Sequence, residues 1–143
     1  MPESIAYTAV VTSDGDGRNG HVRSNDGLID TDVRMPKELG GAGGATNPEQ
    51  LFAAGYAACF HSALKATGKE HGVDLVDSAV TAEVGVGPDG KGGFALAVTL
   101  IIELGGGVSQ EDAEKSVELA HQACPYSNAT RGNIDVKLEV EVG

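Results

Sequence analysis

Two cysteines, Cys59 and Cys124, are the residues in this sequence best suited to covalent chemistry. A thiolate can attack an electrophile or a peroxide oxygen, and a second thiol can close a disulfide on the product. Cys59 lies in an apolar stretch that reads as a helix, where a cysteine is either inert packing or a reactive thiol, and both readings stand. It sits about three turns past the helix start, beyond the reach of the N-terminal dipole. A Cys59 thiolate would therefore need a cation from elsewhere: Arg18 in the GRNG turn, His61, Lys65 or Arg131. Cys124 falls at a helix C-terminus, where the dipole disfavours a thiolate. That position suits resolving an intermediate better than making the first attack.

Other chemistries fit less well. His121 and Cys124 share a helical face, and His21, His61 and His71 complete the histidines, but no CxxC or HxxxH spacing supplies the four ligands of a closed metal site. No metal site is expected. A Cys–His hydrolase would need His61 beside Cys59, yet each step along a helix turns the side chain by about 100°. His61 reads as a partly buried polar residue, and His71, in a helix-ending EHG, as a solvated one. The loop GGAGGATNPEQ leads into a helix start that could seat phosphate, but Glu49 in the first turn would repel it, and neither GxGxxG nor GxxxxGK is present. By itself Glu49 is an acid well placed at a helix start, and Arg18 an ordinary exposed turn residue.

The elements that must position these residues follow from patterning. Residues 4–12 (SIAYTAVVT) alternate as a strand, with Ile5, Tyr7, Ala9 and Val11 on one face. A turn at 14–20 (DGDGRNG) leads to short strands near 21–25 and 28–34. Val80, Ala82, Val84 and Val86 alternate, GPDGKGG turns the chain, and Phe94, Leu96, Val98, Leu100 and Ile102 alternate back. The C-terminal IDVKLEVEV keeps Asp135, Lys137, Glu139 and Glu141 on its wet face. One-face-buried, antiparallel strands are predicted.

Two helices interrupt the strands. The first has Asn47 as N-cap, Pro48 at the first helical position and Gln50 placed for a capping box, and it runs to about Glu70. It is apolar all round from Leu51 to Phe60, so burial is predicted, and its small residues allow close approach of another backbone. The second starts at Ser109 with Asp112 as its box partner. It buries Ala113, Val117, Ala120 and Cys124 and ends at Pro125. The order β-β-β-α-β-β-α-β gives an α+β class.

Composition narrows the function. A length of 143 residues with 41% apolar content gives one domain with one core. A net charge of −11 disfavours nucleic acid and anionic membrane surfaces alike. MPESIAYTAVV lacks the pattern of a signal peptide, and the apolar run 51–60 is shorter than the ~20 residues of a spanning helix. A cytoplasmic protein is expected, where two cysteines are more consistent with a redox pair than with a disulfide framework.

Taken together, the motifs resemble one family. TNPEQLFAAGYAACFHSALK (46–65) resembles the signature helix of the organic hydroperoxide resistance (Ohr) branch of the Ohr/OsmC family. ACPYSNATRGNIDV (123–136) resembles the segment around that family's second cysteine. GRNGHVRSNDG (17–27) and VRMPKELGGAGGATNPEQ (33–50) resemble its N-terminal arm and loop. The resemblance spans residues 1–143 as a single Ohr/OsmC-like domain. It implies an OsmC-like fold, with antiparallel sheets around two central helices in an intertwined homodimer.

The resemblance implies roles residue by residue. Cys59 becomes the peroxidatic cysteine and Cys124 the resolving one. Arg18 stabilises the thiolate, and Glu49 orients Arg18. Phe52, Tyr56 and Phe60 make the site greasy, which suits an organic hydroperoxide better than hydrogen peroxide. The implied reaction reduces organic hydroperoxides, fatty-acid hydroperoxides included, to alcohols. It passes through a Cys59 sulfenic acid and a Cys59–Cys124 disulfide, re-reduced by dihydrolipoamide or a lipoylated protein. No bound cofactor is implied.

Glu49 and Cys59 lie roughly 15 Å apart along one helix, so a shared site is elongated or takes its Glu from a second chain. The homodimer that the resemblance implies would supply that second chain, and a composite site is expected on that basis, with Arg18 and Glu49 of one subunit serving Cys59 of the other. Two rival functions are a non-catalytic dimeric binding protein for apolar ligands and a thiol redox sensor. A general OsmC-type peroxidase is a variant of the leading one.

Overall fold

The structure, a computed structural model, describes residues 1–143. The chain divides into two compact units, Met1–Leu51 and Phe52–Gly143. No helix is long and apolar enough to cross a membrane.

The first unit is a small antiparallel sheet of β1 (Val11–Asp14), β2 (His21–Ser24) and β3 (Asp30–Asp32), in the order β1-β2-β3. The predicted strand over 4–12 is largely absent. β2 is only four residues long and pairs only Val11–Asp14, which leaves Ile5 and Tyr7 exposed. Alternation marks a face that could be buried, and a strand also needs a partner backbone to bond with. A 3-10 turn, Gly17–Asn19, joins β1 to β2. His21 is pinned by its two ring nitrogens to Asp30 and Asp32 on the sheet surface.

Helix α1, Pro48–Glu70, starts at the predicted cap: Asn47 Oδ1 accepts from the Gln50 N–H at 2.9 Å. The reciprocal half of the capping box does not form, because Gln50 Oε1 instead accepts from the Thr46 hydroxyl at 2.8 Å. The helix ends in a Schellman turn. Gly72 takes the left-handed φ of +80°, and Val73 N–H bonds back to Gly68 O at 2.8 Å. Burial of α1 is one-sided rather than all round. Tyr56, Phe60 and Leu64 are buried, while Ala54 and Ala58 face outward.

The second unit carries the sheet β4 (Ser78–Pro88), β5 (Phe94–Leu104) and β6 (Val136–Val142), in the order β4-β5-β6. The predicted β4–β5 hairpin forms, with Val98 opposite Val84 and Ile102 opposite Val80. β6 runs parallel to β5, contrary to the antiparallel expectation. The reason is the connection: α2 (Gln110–Ala123) and α3 (Pro125–Thr130) carry the chain back across the sheet before β6 begins. An alternating pattern specifies which face is buried and is silent on strand direction. Val98, Leu100, Ile102 and Leu104 meet Tyr56, Phe60, Leu64, Ala113, Val117, Ala120 and Cys124 in one core. Each large side chain buried there contributes about 1.5–3 kcal/mol.

Pro125 ends α2 as predicted and also opens α3, occupying the first helical position where its missing N–H costs nothing. Ser109 caps α2 by accepting from the Asp112 N–H at 3.1 Å. His71, expected to be solvated, is half-buried, with Nε2 bonded to Ser116 Oγ at 2.8 Å. His61 is half-buried as expected, bonded through Nε2 to Ser78 Oγ at 2.9 Å.

Candidate functional site

The dithiol is built on α1 and the α2–α3 junction. Cys59, one turn beyond Tyr56 on α1, is half-buried; Cys124 is fully buried and lies between the two helices. Cys124 is at once the last cap of α2, its N–H bonded to Ala120 O at 2.8 Å, and the first cap of α3, its C=O accepting from Asn128 N–H at 2.9 Å. Cys124 thus stands at the C-terminus of α2, as expected, and the short helix α3 begins at the same residue.

Both cysteines are free thiols, and Cys59 packs against the core cluster that includes Cys124. Burial, with the Cys124 thiol beside it, raises the Cys59 pKa above the ordinary thiol value, and the Tyr126 backbone N–H aimed at it opposes the rise. None of the groups acting on Cys59 is a cation. Two of the cation candidates are occupied elsewhere: His61 bonds Ser78, and Arg131 bonds Asn128 Oδ1 and His121 O. Lys65 is exposed on α1.

Around the thiols, Phe52, Tyr56 and Tyr126 form a three-ring cluster with centroids 5.6–6.2 Å apart. Tyr126 lies flat enough on α1 that a Cβ at Gly55 would meet its hydroxyl at 2.6 Å, so glycine is required there for this packing. Of the residues expected to line a substrate pocket, Phe52 is half-buried, whereas Tyr56 and Phe60 have no exposed surface in this chain. Tyr126, which patterning did not single out, is the ring that offers surface, at 37% exposure. Its position directly after a helix-opening Cys-Pro pair was the available signal.

The second cluster lies in the first unit. Arg18, in the 3-10 turn, clasps Glu49, in the first turn of α1, through two parallel bonds: Nη1 to Oε2 at 2.9 Å and Nη2 to Oε1 at 2.8 Å. The Glu49 side chain is only 13% exposed and that of Arg18 41%. Its bond to Arg18 holds the Glu49 carboxyl below the usual carboxylate range, and the bond to Glu49 raises the guanidinium pKa still further. The turn itself is fixed from behind: Gly20 O accepts from Val33 N–H and from Arg34 Nη1, and Asn19 Oδ1 accepts from Met35 N–H. Arg18 and Glu49 thus form a preorganised, singly directed ion pair rather than an independent turn residue and helix-start acid.

The arrangement offers a neutral, close-set dithiol in one unit and a fixed guanidinium in the other. No three His, Cys, Asp or Glu side chains converge to hold a metal ion.

Comparison with known proteins extends this description. The family profile described as OsmC-like protein matches residues 41–139. The organic hydroperoxide resistance protein of Xanthomonas axonopodis pv. citri is 49% identical over 96% of this chain and 96% of its own length. The organic hydroperoxide resistance protein OhrB of Bacillus subtilis is 47% identical over 94% of this chain and 98% of its own. The crystal structure of an organic hydroperoxide resistance protein from Legionella pneumophila superposes with a TM-score of 0.92 at 51% identity, covering 97% of this chain and all (100%) of that one. The α+β architecture of two small sheets and three helices is thus that of solved relatives, and the chain belongs to the OsmC-like family, in its organic hydroperoxide resistance branch.

Proposed function

We propose that this protein is a cysteine-based peroxidase that reduces organic hydroperoxides to alcohols and so confers resistance to organic peroxide stress in the cytoplasm. The observation that supports this reading is that Cys59 and Cys124, far apart in the chain, are both free thiols and that Cys59 packs against the core cluster that includes Cys124. The names of the relatives, organic hydroperoxide resistance proteins, support the substrate class.

The Cys59 thiolate attacks the terminal peroxide oxygen, the O–O bond breaks, and the alkoxide leaves and takes up a proton as the alcohol. Cys59 is now a sulfenic acid. The Cys124 sulfur attacks it, the S–O bond breaks, and the hydroxyl leaves with the thiol proton as water, which forms the disulfide. A dithiol of the dihydrolipoyl class returns both cysteines to thiols and is itself closed to a cyclic disulfide. The balance is one hydroperoxide and one dithiol consumed, with one alcohol, one water and one disulfide formed. No bound cofactor takes part.

Burial keeps Cys59 protonated, so the first step needs a cation at the sulfur. The Arg18–Glu49 pair is suited to that task, because Glu49 fixes the guanidinium while leaving part of it exposed. The two residues are supplied by a second copy of the chain in a homodimer, whose outward-facing Ala54 and Ala58 on α1 permit close approach. Phe52 and Tyr126 provide the greasy surface for the organic group, over the buried Tyr56 and Phe60.

The test is to treat reduced protein with one equivalent of tert-butyl hydroperoxide and measure intact mass, then follow alcohol formation with dihydrolipoamide. Loss of two hydrogens, a Cys59–Cys124 peptide link and turnover abolished in Cys59→Ser are expected. Unchanged thiols would refute the proposal. Mixing Cys59→Ser and Arg18→Ala subunits tests the composite site, where recovered activity in the heterodimer is expected and no recovery overturns it.

A further inference from the structure

The thiols lie on two helices that share a second, purely polar contact. Tyr56 precedes Cys59 on α1 by three residues, and Ser127 follows Cys124 on α3 by three. Tyr56 OH and Ser127 Oγ are 2.8 Å apart, and both residues are fully buried. The two pairs therefore sit one helical turn apart, in the same antiparallel sense, so the polar pair sets the register of the sulfur pair. The contact is not free to drift. Ser127 Oγ also meets His121 Nδ1 at 2.8 Å, Tyr56 OH meets Thr130 Oγ1 at 3.1 Å, and the Thr130 hydroxyl donates to Ser127 O at 3.2 Å. α3, a helix of six residues too short to hold itself, is thereby tied at its first and last turns to α1 and α2.

We propose that Ser127 and Tyr56 are positioning residues for disulfide closure, holding the turn that carries Cys124 at bonding distance from Cys59. Neither touches the reacting atoms. The hydroxyl pair raises the effective concentration of one sulfur at the other, so the sulfenic acid is captured before a second hydroperoxide can oxidise it to sulfinic acid. This use of the dithiol rests on the peroxidase reading; the geometric claim does not.

The experiment separates the two. Wild type, Ser127→Ala, Ser127→Thr and Tyr56→Phe are equilibrated in buffers of reduced and oxidised dithiothreitol, where protein dithiol and cyclic dithiothreitol disulfide exchange for protein disulfide and dithiothreitol. Ser127→Ala and Tyr56→Phe should each shift this equilibrium ~10-fold toward the dithiol, and Ser127→Thr, which keeps the hydroxyl, less than ~3-fold. If Ser127→Ala does not fold, Tyr56→Phe deletes the same bond from the other side and carries the test. Wild-type equilibrium in the deletion variants, or an equal shift in Ser127→Thr, would overturn the proposal. In a second arm with excess tert-butyl hydroperoxide, the fraction of Cys59 gaining two oxygens should rise ~10-fold in the deletion variants. A wild type inert to the hydroperoxide in that arm sinks the peroxidase reading and leaves the equilibrium result standing.

Discussion

The Arg18–Glu49 pair and the Cys59–Cys124 pair solve opposite problems. The first is an ion pair between a 3-10 turn and the first turn of α1, partly open to water, joined by two charge-assisted bonds. The second is a neutral pair set into a packed core, where a bare thiolate is disfavoured. Charge is kept where water and a carboxylate tolerate it, and sulfur where packing can fix its distance. No cation acts on Cys59, whereas Arg18 already has its carboxylate partner.

The contrast can be broken in graded ways. Cys59→Ser should abolish hydroperoxide turnover, a loss of at least ~1,000-fold by alcohol formation, with the unfolding midpoint nearly unchanged. A retained rate would move the chemistry away from the dithiol. Leu100→Ala, in the centre of the second unit, should cost about 3–4 kcal/mol in urea unfolding, because the fully buried side chain leaves a cavity. Arg18→Ala should show the reverse signature, with turnover falling ~100-fold while stability changes by less than about 1 kcal/mol, as befits a half-exposed pair. Equal damage to stability would make the ion pair a structural clamp.

The smallest effects are those of pH. Glu49 has a depressed folded-state pKa, so its stabilising contribution is present above the unfolded carboxyl value and is lost as pH falls through the folded one. Wild type should lose this increment on acidification, and Arg18→Ala should not. Cys59 behaves oppositely. Its folded pKa is raised, so the contribution is complete below the unfolded thiol value and disappears as pH climbs through the folded one. Unfolding midpoints above about pH 8.5 should therefore fall more steeply in wild type than in Cys59→Ser.

Much of this was legible before any coordinates. Asn47-Pro48 announced the start of α1, the alternation of Val80 to Val86 and Leu96 to Ile102 the hairpin, and Ala113, Val117, Ala120 and Cys124 the inward face of α2. These are local signals, set by the 3.6 and 2 residue periods and by cap chemistry. What escaped was non-local. Residues 4–9 alternate but have no backbone partner within the chain, and the parallel course of β6 depends on a crossover that its own residues do not encode. Ser127, Tyr126 and Gly55 looked like ordinary polar, aromatic and small residues, because their importance arises only from what lies opposite them.

The sequence by itself determined most of the elements, since types and short spacings carry that information, and its resemblance to the family pointed to the two cysteines and to Arg18 and Glu49. Only the tertiary structure decided that Cys59 packs against the cluster that includes Cys124, that Arg18 is clasped by Glu49 through both carboxylate oxygens, and that Tyr56 and Ser127 tie the helices between them. Distances between residues far apart in the chain are fixed by packing the whole core at once, and no local pattern specifies them.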